Sequence, residues 1–114
     1  MVVDAWIGNL DSPNFDFYSY NSAGNIPKRE SPFLPNAHEL LRVLWKMKKD
    51  GEYNARQLDW GAWGAIMTKR ELTDFIGEFY GEDRVPEVKK FVHELDEKKS
   101  YVLVAFESAS EFDD

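Results

Sequence analysis

Three aspartates in this sequence lie next to aromatic residues, which is how many carbohydrate-cleaving sites are built. Asp4, Asp16 and Asp59 each stand within two residues of a tryptophan or tyrosine. Two carboxylates about 5–10 Å apart can act on a glycosidic bond as acid and as nucleophile or base. Sequence spacing does not fix that distance, and ordinary surface aspartates are the competing explanation. These three residues therefore form an alternative ligand site, with a carboxylate-dependent hydrolase as its chemistry.

Other arrangements that support catalysis are missing from the sequence. There is no cysteine, which excludes disulfides, thiolate metal ligands and cysteine nucleophiles. His38 and His93 are the two histidines, and neither belongs to a catalytic or metal-binding motif. The sequence has no phosphate-binding glycine loop, no nucleophile elbow and no calcium loop. We therefore expect no cofactor and no metal, and we favour a protein without enzymatic activity.

Aromatic side chains are unusually frequent for a chain of 114 residues, which holds four Trp, five Tyr and eight Phe. A small sheet cannot obviously bury all of them on its inward side. Exposed rings with an acidic rim resemble a protein-interaction hot spot, where Trp and Tyr dominate. The aromatic candidates for partner binding are Tyr18, Tyr20, Trp60 and Trp63.

The net charge of −7 is concentrated in the second half of the chain. Residues 1–57 hold 7 acidic and 7 basic side chains, whereas residues 58–114 hold 14 acidic and 7 basic ones. Such a surface repels phosphate backbones, so we expect no direct nucleic-acid binding. Glu71, Asp74 and Glu78 line one face of a predicted helix and complete the partner-binding candidates. They would suit a partner protein with a basic surface, although solubility alone also explains them.

Residues 58–71 anchor the fold prediction: the alternating apolar run over residues 58–67 predicts one strand, which leads directly into a helix start. Thr68 and Glu71 have the spacing of a capping box. Further strands are predicted at 2–7, 15–20 and 101–106, and helices at 36–49, from 68 to 80 and from 86. The result is an α+β domain with β-β-α-β-α-α-β order and about four strands in a mixed or antiparallel sheet covered by three helices. Residues 1–107 form this single domain, and residues 108–114 are an acidic tail that we expect to fray.

The function that best fits these features is that of a small, acidic, intracellular protein-binding domain of a regulatory, inhibitor or immunity type. A small-ligand or carbohydrate-binding protein is the alternative, and self-association as a homodimer is a third possibility. No signal peptide and no membrane span are predicted, so we expect a cytoplasmic location and no membrane partner.

Overall fold

The computed structural model describes residues 2–19 and 24–108. Its elements, in chain order, are β1 (Val2–Asn9), α1 (Ala37–Asp50), β2 (Arg56–Asp59), β3 (Ala62–Thr68), α2 (Lys69–Tyr80), α3 (Pro86–His93) and β4 (Ser100–Ser108). The predicted α+β fold is confirmed, with four strands, three helices and an element order close to the predicted one. Of the predicted acidic tail, Ser108 is the last residue of β4, and residues 109–114 lie outside the described part of the chain.

The four strands form one antiparallel sheet in the order β1-β4-β3-β2. β4, one of the two inner strands, is apolar and buried from Tyr101 to Ala105, because both of its faces are covered. The three helices contribute to the main core on one face of the sheet, where Leu40, Leu72 and Val92 are buried. No helix in the described residues is long and apolar enough to span a membrane.

The connection from β1 to α1 covers the other face of the sheet. Its Phe17 is buried in a second core together with Trp6 and Leu58. The indole N–H of Trp6 donates to the carbonyl oxygen of Pro27 at 3.0 Å, which holds the connection against the sheet. This long segment is therefore a structural layer, and it also determines which aromatic residues remain exposed.

The prediction of one strand over residues 58–67 is wrong, because this stretch turns back on itself. Residues 60 and 61 form a two-residue connection between β2 and β3, and Leu58 is an extra residue in a bulge. A Cβ atom at residue 61 would overlap the carbonyl oxygen of Glu107, so only glycine fits beside β4. A Cβ atom at residue 64 would lie 2.6 Å from Cδ1 of Leu58, so Gly64 makes room for the bulged leucine.

The predicted strand over residues 15–20 is also wrong for its described part, residues 15–19, which form turns. The carboxylate of Asp16 accepts from the N–H of Tyr18 at 3.0 Å, a local bond typical of a turn. The alternation that predicted a strand instead reflects Phe15 and Phe17 packing on the second core while Asp16 and Tyr18 are exposed. Tyr20 lies outside the described residues.

The predicted capping box between β3 and α2 is present. The hydroxyl of Thr68 accepts from the N–H of Glu71 at 3.2 Å, and the Glu71 carboxylate accepts from the N–H of Thr68 at 3.0 Å. At the other end of α2, the hydroxyl of Tyr80 donates to the carbonyl oxygen of Pro35. Burial raises the pKa of Tyr80 well above its usual value of 10.0.

Replacing Tyr80 by Phe should lower the free energy of unfolding by about 1 kcal/mol at neutral pH, because the Pro35 carbonyl loses its donor. Above pH 10 the unfolded chain releases the Tyr80 proton while the folded chain keeps it. The stability of the wild type should therefore fall as pH rises from 10 toward the raised pKa, and Tyr80→Phe should remove that part of the fall. Urea unfolding monitored by circular dichroism on both sides of pH 10 measures this difference. Parallel pH dependences in the two proteins would contradict the assignment.

Candidate functional site

The most exposed large apolar side chain in the described part of the chain is Trp60, with 84% of its surface accessible. It occupies the turn between β2 and β3. The side-chain amide of Gln57 donates to the carbonyl oxygen of Trp60 at 3.1 Å. Trp60 is therefore held by its backbone while its indole remains in solvent.

A buried carboxylate is hydrogen-bonded to the backbone of the turn between β2 and β3. Asp59 is only 7% exposed, and its two oxygens accept from the N–H of Trp60 and from the N–H of Gly24. Hydrogen bonds to an ionised group are stronger than those between neutral groups. On the β4 side, the N–H of Glu107 donates to the carbonyl oxygen of Gly61 at 2.6 Å. The turn is thus bonded both to the long connection and to β4.

The long connection brings a second exposed ring toward β2. The side-chain amide of Asn25 donates to the carbonyl oxygens of Asp16, Ser19 and Leu58 at 2.8, 2.6 and 3.3 Å. These bonds hold residues 16–19 alongside β2. Tyr18, within this segment, is 64% exposed.

Arg56 completes this corner of the molecule. The guanidinium carbon of Arg56 lies 5.9 Å from the centre of the Tyr18 ring, within the range of a cation–π interaction. Its Nε atom is buried and has no hydrogen-bond partner among the described residues. We refer to Trp60, Tyr18 and Arg56 together as the hairpin corner. Arg56 was not among the residues selected from the sequence. It lies in β2, and the predicted strand began only at Leu58.

The fourth aromatic candidate lies elsewhere. Trp63 is half-buried in β3 and packs against the main core on the helix-covered face. Of the predicted rings, only Tyr18 and Trp60 are therefore strongly exposed in the described residues, and Tyr20 lies outside them.

The three aspartates of the alternative ligand site do not all lie together, and their roles differ. Asp4 pairs with Phe106, which pairs with Ala62, which in turn pairs with Asp59, so the two aspartates lie at opposite edges of the sheet. Three strand spacings separate their backbones by roughly 14 Å. Asp16 is exposed in a turn of the long connection. The structure therefore does not bring Asp4 and Asp59 together as a catalytic pair, and Asp59 is committed to backbone bonds.

Cavities and metal-ligating clusters add no support for a site at these aspartates. Five surface cavities of about 260–500 Å³ are lined by other residues. One of them, about 350 Å³ in volume, lies between α2 and α3 and is lined partly by Ile76, Val92 and the exposed His93. Within residues 2–19 and 24–108, no group of three acidic or histidine side chains is placed to hold a metal ion.

The predicted acidic stripe on α2 is not uniform. Glu71 is half-buried and is engaged in the capping box, whereas Asp74 and Glu78 are exposed. Among the described residues, no ion pair joins these three carboxylates to Arg42 or another basic side chain; Arg42 instead lies 3.7 Å from Glu39 of its own helix. Asp74 and Glu78 therefore remain available to a partner.

Comparison of the chain with protein-family models, with curated proteins and with solved structures found no match. The geometry of the hairpin corner and the surface charges are therefore the features that bear on function.

Replacing Asp59 by Ala should lower the free energy of unfolding by about 2–4 kcal/mol, because two backbone N–H groups lose a charged acceptor. The matched control is Asp4→Ala on the same face of the sheet, for which we expect a loss below about 1 kcal/mol. Urea unfolding at neutral pH compares the two variants. Equal losses would show that the Asp59 carboxylate does not hold the turn and the connection together.

The two kinds of acidic residue on α2 should respond differently to truncation. Glu71→Ala should cost about 1 kcal/mol of stability, since it removes half of the capping box. Asp74→Ala should change stability by less than about 0.5 kcal/mol, because its side chain is exposed. Thermal unfolding of both variants tests this difference. A larger loss in Asp74→Ala than in Glu71→Ala would contradict the assigned roles.

Proposed function

We propose that this chain is a non-catalytic protein-binding domain that contacts its partner through the hairpin corner. The observation that carries the proposal is the 84% exposed Trp60 on a turn that is hydrogen-bonded on both sides. Covering an aromatic side chain of this size removes roughly 150–250 Å² from water, a gross gain of about 4–6 kcal/mol. A partner that encloses the indole would therefore gain substantial binding free energy from one residue.

The composition of the hairpin corner supports the same proposal. Trp, Tyr and Arg are the residue types most enriched among interface hot spots, and all three types occur here. The anchored backbone lowers the conformational entropy lost on binding, because the turn is already ordered before the partner arrives. The proposed partner presents an apolar pocket for the indole and an acceptor group near the Arg56 guanidinium.

The charge of the chain suggests the partner's overall character. A net charge of −7 would attract a protein with a basic surface and increase the rate of encounter, with Asp74 and Glu78 as accessible carboxylates. An inhibitor, immunity or other regulatory protein would use such complementarity. In this proposal the protein acts in the cytoplasm, consistent with its lack of cysteine.

The alternatives have less structural support. A carbohydrate or small-ligand site at Asp4, Asp16 and Asp59 would need the carboxylates to converge on a cavity, and none of the five described cavities includes them. Self-association through a sheet edge would need free backbone groups on an edge strand. At the edge strand β1, two carbonyl oxygens already accept from the N–H groups of Glu30 and Leu34. At β2, the bulge interrupts the regular edge and Asn25 bonds to the Leu58 carbonyl.

The proposal is tested by comparing wild-type protein with Trp60→Ala and with Phe33→Ala, a control that removes another exposed ring near β1. Each of the three proteins is immobilised and exposed to a cytosolic lysate at moderate salt, and the lysate proteins that it retains are compared with those that the wild type retains. The captured partner is then purified and its dissociation constant is measured by calorimetry. Trp60→Ala should weaken binding by about 30-fold or more, because a hot-spot residue contributes at least about 2 kcal/mol. Its stability should remain within about 0.5 kcal/mol of wild type.

Three results would contradict the proposal: no partner bound by the wild type, a partner bound equally well by Trp60→Ala, or equal weakening by Phe33→Ala. If the mass of the wild type instead falls on dilution and Trp60→Ala is monomeric, the hairpin corner is a homodimer contact.

A further inference from the structure

The outer face of α1 differs in charge from the rest of the chain. This helix holds four basic and two acidic side chains, whereas the remaining residues hold ten basic and nineteen acidic ones. Arg42, Lys46 and Lys49 project from its exposed side, away from the buried stripe that packs on the sheet. A local positive surface therefore exists on a protein whose net charge is negative.

An aromatic residue lies among these cations. Trp45 is 52% exposed, and the ammonium of Lys49 lies 5.6 Å from the centre of its ring. An exposed indole beside three cationic side chains offers both apolar contact and charge to a binding partner. We define the basic helix face as Arg42, Trp45, Lys46 and Lys49.

Among the described residues, the cations of this face form few ion pairs with carboxylates. Arg42 has a single long ion pair, 3.7 Å from Glu39, and both side chains are largely exposed. Exposed ion pairs of this kind contribute little to stability, so an incoming carboxylate could replace Glu39. Among the described residues, Lys46 and Lys49 have no carboxylate partner.

We propose that the basic helix face binds an acidic peptide segment of a partner protein. Carboxylates of the segment would contact Arg42, Lys46 and Lys49, and an apolar side chain would cover Trp45. Charge complementarity is the basis for this choice of occupant. At physiological salt the screening length is about 8 Å, so a short ligand on this face experiences the local cations more strongly than distant carboxylates.

The size of the face favours a short segment over larger anionic partners. α1 has 14 residues and is roughly 21 Å long. A nucleic-acid duplex would extend beyond it over acidic surface, and a second copy of the chain would bring another net charge of −7. One helix face is smaller than the roughly 800 Å² per partner of a standard interface, so binding should be weak and salt-dependent.

The test is an NMR titration of the isotope-labelled full chain with an acetylated, amidated octapeptide of six glutamates and two leucines. At low salt, about 50 mM, we expect shifts in the α1 amides and in the indole N–H of Trp45. Affinity should fall at least about tenfold at roughly 500 mM salt. The double variant Lys46→Glu with Lys49→Glu should lose binding. The matched control, Lys98→Glu with Lys99→Glu, makes the same charge change at two exposed lysines outside the helix and should bind within about threefold of wild type.

Several outcomes would overturn the proposal. These are no shift on α1, undiminished binding by Lys46→Glu with Lys49→Glu, and equal loss in the Lys98→Glu, Lys99→Glu control. Tighter binding of an oligothymidine of equal charge would identify a phosphate-binding surface, and α1 shifts on concentrating the protein alone would identify a second copy. The inference does not depend on the hairpin corner, because Trp60→Ala should bind the octapeptide as wild type does.

Discussion

The carboxylate of Asp59 accepts hydrogen bonds from two backbone segments that are distant in sequence. One N–H belongs to Trp60, where the hairpin reverses direction, and the other belongs to Gly24 in the long connection. An unsatisfied N–H in such a buried position would cost about 1–3 kcal/mol, so a single acidic side chain couples the turn to the connection. Through that coupling it also helps to position Phe17 in the second core and the exposed Tyr18 above Arg56. An aspartate that resembled a catalytic candidate in the sequence therefore has a structural role that supports the exposed corner.

Local patterns in the sequence predicted the parts of the fold that depend on local chemistry. The capping box at Thr68 and Glu71, the buried stripes of the helices and the continuous apolar strand near the C-terminus are all present. The β2–β3 hairpin could not be predicted in the same way. Its turn has Trp60 and Gly61 in place of the common Asn-Gly or Asp-Gly pair, and the alternating pattern continues across it. The need for glycine there arises from Glu107 of β4, a contact that sequence order does not reveal.

The candidate site was also predictable only in part, because composition is visible in the sequence and long-range contacts are not. A surplus of aromatic residues indicated that some rings would be exposed, and Trp60 and Tyr18 are exposed. The position of Tyr18 over Arg56 depends on Asn25, whose amide bonds to both the connection and β2. Arg56 was missed because β2 was not recognised as a separate strand. Trp63 faces the helices because it alternates along β3 with Ala62, which faces the second core. Long-range hydrogen bonds, which leave no periodic pattern, therefore decide which candidates come together.

The proposed function requires that the exposed indole be presented on an ordered backbone, since a mobile turn would lose conformational entropy on binding. The amide order parameter of Trp60, measured by nitrogen relaxation in the free protein, tests this requirement most directly. The bonds from Asp59 and Glu107 predict a value near 0.85, equal to that of the sheet. A value below about 0.6 would show that the turn is flexible and would contradict a preformed binding surface at the hairpin corner.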